Sequence, residues 1–210
     1  MNVDKQTEPI QEAVPTRPPG RPREFDENDA LDRALEVFWA KGYETTSLRE
    51  LCEAMGISKP SLYAAFGDKA QLHDLALARY SERYKQNAVH LAREGKLADR
   101  LEAWMIGTVT LCSSPDHPGC MIVNGICAGQ SLPASARDAI DADLEATRRY
   151  LRGLFTDEQS VGVLRADASP DAVAVNCMAL LQGWCVLARA GTPLDELTAS
   201  VRMAVQDIVR

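Results

Sequence analysis

The sequence predicts an all-α protein in which a small N-terminal three-helix domain precedes a larger helical domain. Apolar residues recur at helical spacing along most of the chain, Gly and Pro fall where helices stop or start, and no alternating strand pattern occurs. The expected division is 1–24 as a flexible basic arm, 25–70 as a helix-turn-helix unit, and 71–210 as the second domain.

The arm, "TRPPGRPR", crowds Arg17, Arg21 and Arg23 into Pro/Gly-rich sequence that cannot pack into a core. A basic arm beside a helix-turn-helix suits a DNA groove. Asp26 to Lys41 is the first expected helix: Ala30, Leu31, Ala34, Leu35, Val37, Phe38 and Trp39 recur between charges, and Gly42 caps its end. Thr46 to Met55 is the second, with Thr45 or Thr46 as cap, Glu50 in the first turns, and Leu48, Leu51 and Met55 at helical spacing. Gly56 permits the left-handed turn that closes it. Ser58 then caps a third helix whose first turn tolerates Pro60. Leu62, Ala65 and Phe66 point inward, Lys59, Ser61 and Ala64 point outward, and Gly67 ends it. Two short helices joined by a Gly-containing turn make a helix-turn-helix.

Beyond it the expectation is helix after helix. One spans 69–94 and another Leu97 to Cys112; Pro115 to Gly119 is a break. A helix then runs through Met121, Ile122, Ile126 and Cys127 to about Gly129. Pro133 opens a further helix ending near Phe155, and 156–169 is a polar loop. The last pair, 170–189 and 193–209, is separated by "AGTP". In 170–189, Val173, Cys177, Leu180, Leu181, Trp184, Val186 and Leu187 present more apolar surface than one neighbour covers.

The 210 residues carry a net charge of −7, which argues against diffuse polyanion binding and makes the local clustering of arginines in the arm the relevant feature. Apolar runs stop short of the ~20 residues of a membrane span. No N-terminal apolar run suggests a leader, so no membrane is expected and the cytoplasm is the default location. The cysteines, at 52, 112, 120, 127, 177 and 185, contain no C-x-x-C pair, so they are expected as thiols without a structural metal or other cofactor. His73, His90 and His117 are scattered, and no nucleophile elbow, phosphate loop or metal-ligand spacing occurs. An enzyme is not expected.

The stretch "ALEVFWAKGYETTSLRELCEAMGISKPSLYAAFGDKAQL" resembles the DNA-binding domain of the TetR/AcrR family of transcriptional regulators. It combines a Phe-x-x-x-Gly-Tyr segment, a Thr-Thr pair, the Gly-Ile-Ser-Lys turn, Leu-Tyr-x-x-Phe and a Lys shortly after Phe66. The resemblance implies a homodimer that binds a near-palindromic double-stranded operator, and a C-terminal domain that binds a small effector and releases DNA. It makes Ser58 to Phe66 the recognition helix, where Lys59 reaches a guanine edge or a phosphate, Ser61 donates or accepts, and Pro60 and Ala64 offer apolar contact. Tyr63, Thr46 and Lys69 match phosphate-contacting residues, and Tyr43 is the weakest of the set. Specificity then comes from doubling the half-site and from DNA shape, with Arg21 or Arg23 in a minor groove. Pro60, where many relatives have Gly, and Cys52, where Ala is usual, depart from the pattern.

The same resemblance places the dimer interface in the last helix pair and the effector pocket among the helices of 97–129 and the helix 170–189. Candidate lining residues are Trp104, Met105, Thr108, Cys120, Val123, Asn124, Cys127 and Trp184. "PDHPGCMIVNG" adds a sharper alternative. Cys120 is expected one or two residues inside a helix start, where free N–H groups and the dipole favour a thiolate, with His117 nearby. The segment resembles a subset of these regulators with Gly-Cys here, in some of which the thiol senses electrophiles or oxidants. Cys127 lies two turns further along the same face, too far for a disulfide within the helix. Metal sensing through several of Cys112, Cys120, Cys127 and His117 is a further alternative, disfavoured because they form no compact ligand motif.

Overall fold

The computed structural model describes residues 25–115 and 119–209. Arg17, Arg21, Arg23 and His117 lie outside the described residues. The regular structure of the described residues is all helical, with no strand among them. The helices are α1 (Glu27–Lys41), α2 (Leu48–Met55), α3 (Lys59–Phe66), α4 (Lys69–Ala88), α5 (Leu97–Cys112), α6 (Met121–Ala128), α7 (Ala134–Ser160), α8 (Pro170–Arg189) and α9 (Leu194–Ile208).

Local capping defines the first four. Asp26 accepts from the amides of Asn28 and Asp29 to open α1, and Gly42 closes it. Ser47, not Thr45 or Thr46, caps α2 through a reciprocal capping box with Glu50. Thr46 is turned inward instead: its residue is 1% exposed and its hydroxyl donates to the Gly42 carbonyl at 2.7 Å. Lys41, followed by the Ser47 amide and hydroxyl, holds the Glu50 carboxyl down to about 2. Gly56 takes a left-handed φ of 69°, and Ser58 and Asp68 cap α3 and α4. Leu35, Phe38, Leu51 and Leu62 are buried between these helices. Arg79 of α4 grips Asp32 of α1 with Nε–Oδ1 and Nη2–Oδ2 distances of 3.0 and 2.8 Å, and Arg83 bridges Asp32 and Glu36.

α4 ends earlier than expected, at Ala88, and a 3-10 turn follows over Val89–Ala92. The Arg100 guanidinium captures the Leu91 carbonyl, with Nε 2.9 Å away, and holds the chain in the tighter turn. α7 runs on through Ser160, so residues 156–160 are the last turn of a helix rather than a loop. A largely buried Arg100–Glu158 pair at 2.7 Å secures that end.

α5 occupies the middle of the second domain, against α4, α8 and α9, and α8 packs on α7, α5 and α9. By length and composition α8 is apolar enough to cross a membrane, with a mean hydropathy of 1.5, contrary to the sequence expectation that no stretch qualifies. One face of α8 is core, through Ala174, Cys177, Leu181, Trp184 and Cys185. The opposite face exposes Val175, Ala179, Gly183, Val186 and Leu187.

Candidate nucleic-acid interface and effector cavity

α3 stands on the surface as a short platform. Leu62 and Phe66 anchor it, while Lys59, Pro60, Tyr63 and Ala64 are exposed and Ser61 is half-buried. Ser58 accepts from the Ser61 amide at 3.3 Å and shares a 2.8 Å hydroxyl contact with Ser61, so the two serines are mutually oriented at the helix start. Lys59 Nζ lies 5.9 Å from the Tyr63 ring centroid. Lys69 opens α4 with its ammonium 4.3 Å from the Tyr43 ring centroid, which holds the charge over an aromatic face. Tyr43 itself is stacked on Phe38 and is half-buried. Exposed Ser47 and Arg49 flank α3 at the start of α2, whereas the buried hydroxyl of Thr46 has no outward face for a phosphate. This is a sequence expectation that the packing corrects: the threonine closes the α1–α2 turn.

A cavity of about 230 Å³ opens in the second domain between α4, α5, α6, α7 and α8. Leu91, Trp104, Val123, Leu181, Cys120 and Cys185 form its interior; Lys85, Ala146 and Tyr150 are exposed at its rim. Its polar groups are Ser81, whose hydroxyl donates to Asp143 at 2.5 Å, with Tyr84, Thr147 and Gln182. Burial pushes the Tyr84 phenol well up. Of the expected lining residues, Trp104, Cys120 and Val123 face this cavity. The others do not. Met105 is wholly buried. Thr108 donates to the Trp104 carbonyl and accepts from Asn87, and Asn124 lines a separate small cavity beside Phe38 and His73. Cys127 is exposed, and the Trp184 indole donates to Ser200 of α9. The unanticipated walls come from α4 and α7. Asp143, Ala146 and Thr147 look like a solvated face in sequence, and only the packing of α7 against α8 makes them a lining.

Cys120 is the N-cap of α6 rather than an interior residue, and it is buried. Its sulfur meets Cys112 and Cys185, with all three Sγ atoms within 4.8 Å of one another and Cys112–Cys185 at 3.0 Å. The Tyr80 hydroxyl donates to Cys120 Sγ at 3.1 Å. Hydrogen bonds from the Cys112 and Cys185 thiols, and then from Tyr80, pull the Cys120 thiol below its ordinary range against the cost of burial. Cys112 and Cys185 move up in compensation. The neighbouring Gly119 carbonyl accepts from Trp39 Nε1 of α1 at 2.9 Å, and Trp39 meets Tyr80 edge-on with centroids 4.8 Å apart. The thiols therefore sit directly beside the joint between the two domains. Gly119 needs its φ of 90°, and a Cβ there would press on Arg189 of α8.

A capped helix-turn-helix with an exposed third helix, carried on a helical domain with an internal cavity, defines a DNA-binding regulator. The profile described as "Bacterial regulatory proteins, tetR family" matches residues 30–75, and that described as "Tetracyclin repressor-like, C-terminal domain" matches 97–205. The chain belongs to the TetR family of transcriptional regulators. The HTH-type transcriptional repressor ComR of Escherichia coli is 31% identical over 183 residues, covering 85% of this chain and 86% of its own. The repressor BdcR of the same organism is 27% identical over 195 residues, covering 92% and 94%. Among solved structures, a mutant of the TetR family regulator CifR substituted at three cysteines, in complex with a 26-base-pair operator duplex, superposes with a TM-score of 0.81. It is 34% identical, over 89% of this chain and 98% of that one.

Proposed function

We propose that the protein is a homodimeric repressor whose α3 occupies the major groove of an operator and which leaves DNA when a small effector fills the cavity among α4–α8. The observation that carries this reading is the pairing of a self-contained recognition helix with a preformed, mostly apolar cavity in one chain. Lys59 and Ser61 read base edges, Pro60 offers apolar contact, and Tyr63, Ser58 and Lys69 position the phosphates; Arg21 and Arg23 enter a minor groove. The exposed apolar face of α8, with Gly183 and Ala179 at its centre, supports association with a second copy through α8 and α9. The effector is an apolar molecule with a polar end for Ser81, Asp143 or Gln182.

Ala146→Trp fills the rim of the cavity. The variant is expected to bind selected operator DNA as the natural chain does, while compounds that stabilise the natural chain in a thermal-shift screen and release its DNA lose both effects. Retention of both would overturn the placement of the effector.

A second reading rests on the thiol cluster: oxidants or electrophiles act on Cys120 and alter operator affinity. Peroxide oxidises one thiol to a sulfenic acid with release of water; a neighbouring thiol displaces the second water and leaves a disulfide. The Trp39–Gly119 contact supplies a route from that event to α1. Operator binding that falls with peroxide and is insensitive in Cys120→Ser supports it; identical responses of the two proteins would rule it out.

A further inference from the structure

Cys112 closes α5, Cys120 caps α6 and Cys185 lies in the last turns of α8. Two adjoining helix ends and a third helix distant in sequence thus deliver sulfur atoms to one buried point. A metal held by three sulfurs at about 2.3 Å leaves those sulfurs about 4 Å apart. The cluster, with Cys112–Cys185 at 3.0 Å and all pairs within 4.8 Å, brackets that spacing. We propose that Cys112, Cys120 and Cys185 form a three-sulfur binding site for one soft monovalent cation of the cuprous class.

The donor set selects the ion. Sulfur ligands favour Cu(I), zinc and iron–sulfur clusters; cluster irons take four cysteines and zinc on three protein ligands adds a water as its fourth, whereas Cu(I) is complete with three sulfurs alone. Among the described residues no further His, Cys or carboxylate joins the three sulfurs. The adjacent Tyr80 hydroxyl is a hydrogen-bond donor to Cys120, a supporting contact of the kind that orients a ligand sulfur. Access exists as well: Cys120 and Cys185 face the cavity, whose rim residues Lys85 and Tyr150 are exposed. Each sulfur that binds as thiolate releases its proton to solvent, so uptake strengthens as pH rises. Two of the three remaining thiols provide internal controls, since Cys127 is exposed and Cys177 is buried outside the cluster. The site stands or falls independently of operator binding.

Reduced full-length protein is titrated with Cu(I) under anaerobic conditions against a coloured cuprous chelator. The expected result is one ion per chain. Cys112→Ser, Cys120→Ser and Cys185→Ser should each weaken uptake at least tenfold, while Cys127→Ser and Cys177→Ser leave it unchanged. Uptake that survives all three cluster substitutions, or none that withdraws metal from the chelator, overturns the proposal. X-ray absorption on the loaded natural chain keeps the test independent of variant folding: three sulfurs at one short distance are expected, and a two-sulfur or nitrogen/oxygen shell refutes the site. Zn(II) bound by these sulfurs with affinity equal to that of Cu(I) contradicts the low-coordination assignment.

Discussion

The two domains of the chain are held together in different ways. In the head, α1 to α3, each helix is opened by a side chain next to it in sequence, Asp26, Ser47 and Ser58, and closed by Gly42, Gly56 and Gly67. In the larger domain α5, α6, α7 and α9 begin with no side-chain cap, and contacts between distant elements dominate, such as Arg100–Glu158 and the Trp184–Ser200 hydrogen bond. Local codes favour a rigid reading head. Long-range packing leaves room for a cavity and for sulfur atoms to converge from three helices.

The largest effect is expected at α8, where a second copy is proposed to dock. Nothing lies within 4 Å of the position a Gly183 Cβ would take, so Gly183→Glu leaves the single chain intact and charges the centre of the apolar face. The variant is expected to sediment as a monomer and to bind operator about 100-fold more weakly or worse, because the second half-site no longer adds its avidity. A dimer that persists would move the interface elsewhere.

His73 tests the junction of head and body. It is buried against Phe38 and Tyr43, and its Nδ1 has no partner. Burial holds its pKa down to about 4, with Asp74 opposing and Lys69 assisting. The folded-state value lies below the unfolded one, so the unfolded chain takes up the proton first and stability falls with pH below about 6.5, levelling out near 4. Between pH 6.5 and 5 this removes about 2 kcal/mol. Urea midpoints for His73→Leu should decline less over that interval, and parallel declines would deny the residue this role.

Ser47→Ala removes the α2 cap at a cost of about 1 kcal/mol. Its melting point should drop a few degrees, and an unchanged value would mean that packing alone defines the head. The smallest effects concern individual charges. Lys69→Ala should reduce the salt slope of operator binding by about one ion. Lys59→Ala should instead redistribute preference among operator sequences.

The same contrast explains what the sequence discloses. Caps, glycines and the Leu62/Phe66 spacing act over a few residues, so the head was legible almost to the residue, Thr46 excepted; its hydroxyl turned inward because the Gly42 carbonyl needed a donor. The second domain's helices were legible as periodicity, although α7 outlasted the expected stop at Phe155. Its cavity was only partly legible. Trp104 and Val123 carried an apolar signal, whereas Ser81, Asp143 and Thr147 carry none until α4 and α7 are brought against α8. Likewise Cys185 is far from Cys112 and Cys120 in sequence, so no spacing rule announces the cluster.

The proposed reading of a two-fold DNA site through α3 is open to selection from random duplex DNA with the purified full-length protein. The expected result is enrichment of a near-palindrome whose half-sites lie about one helical turn apart, bound by a dimer and with preferences altered in Lys59→Ala. Failure to enrich any sequence, or enrichment unchanged by that substitution, would contradict it.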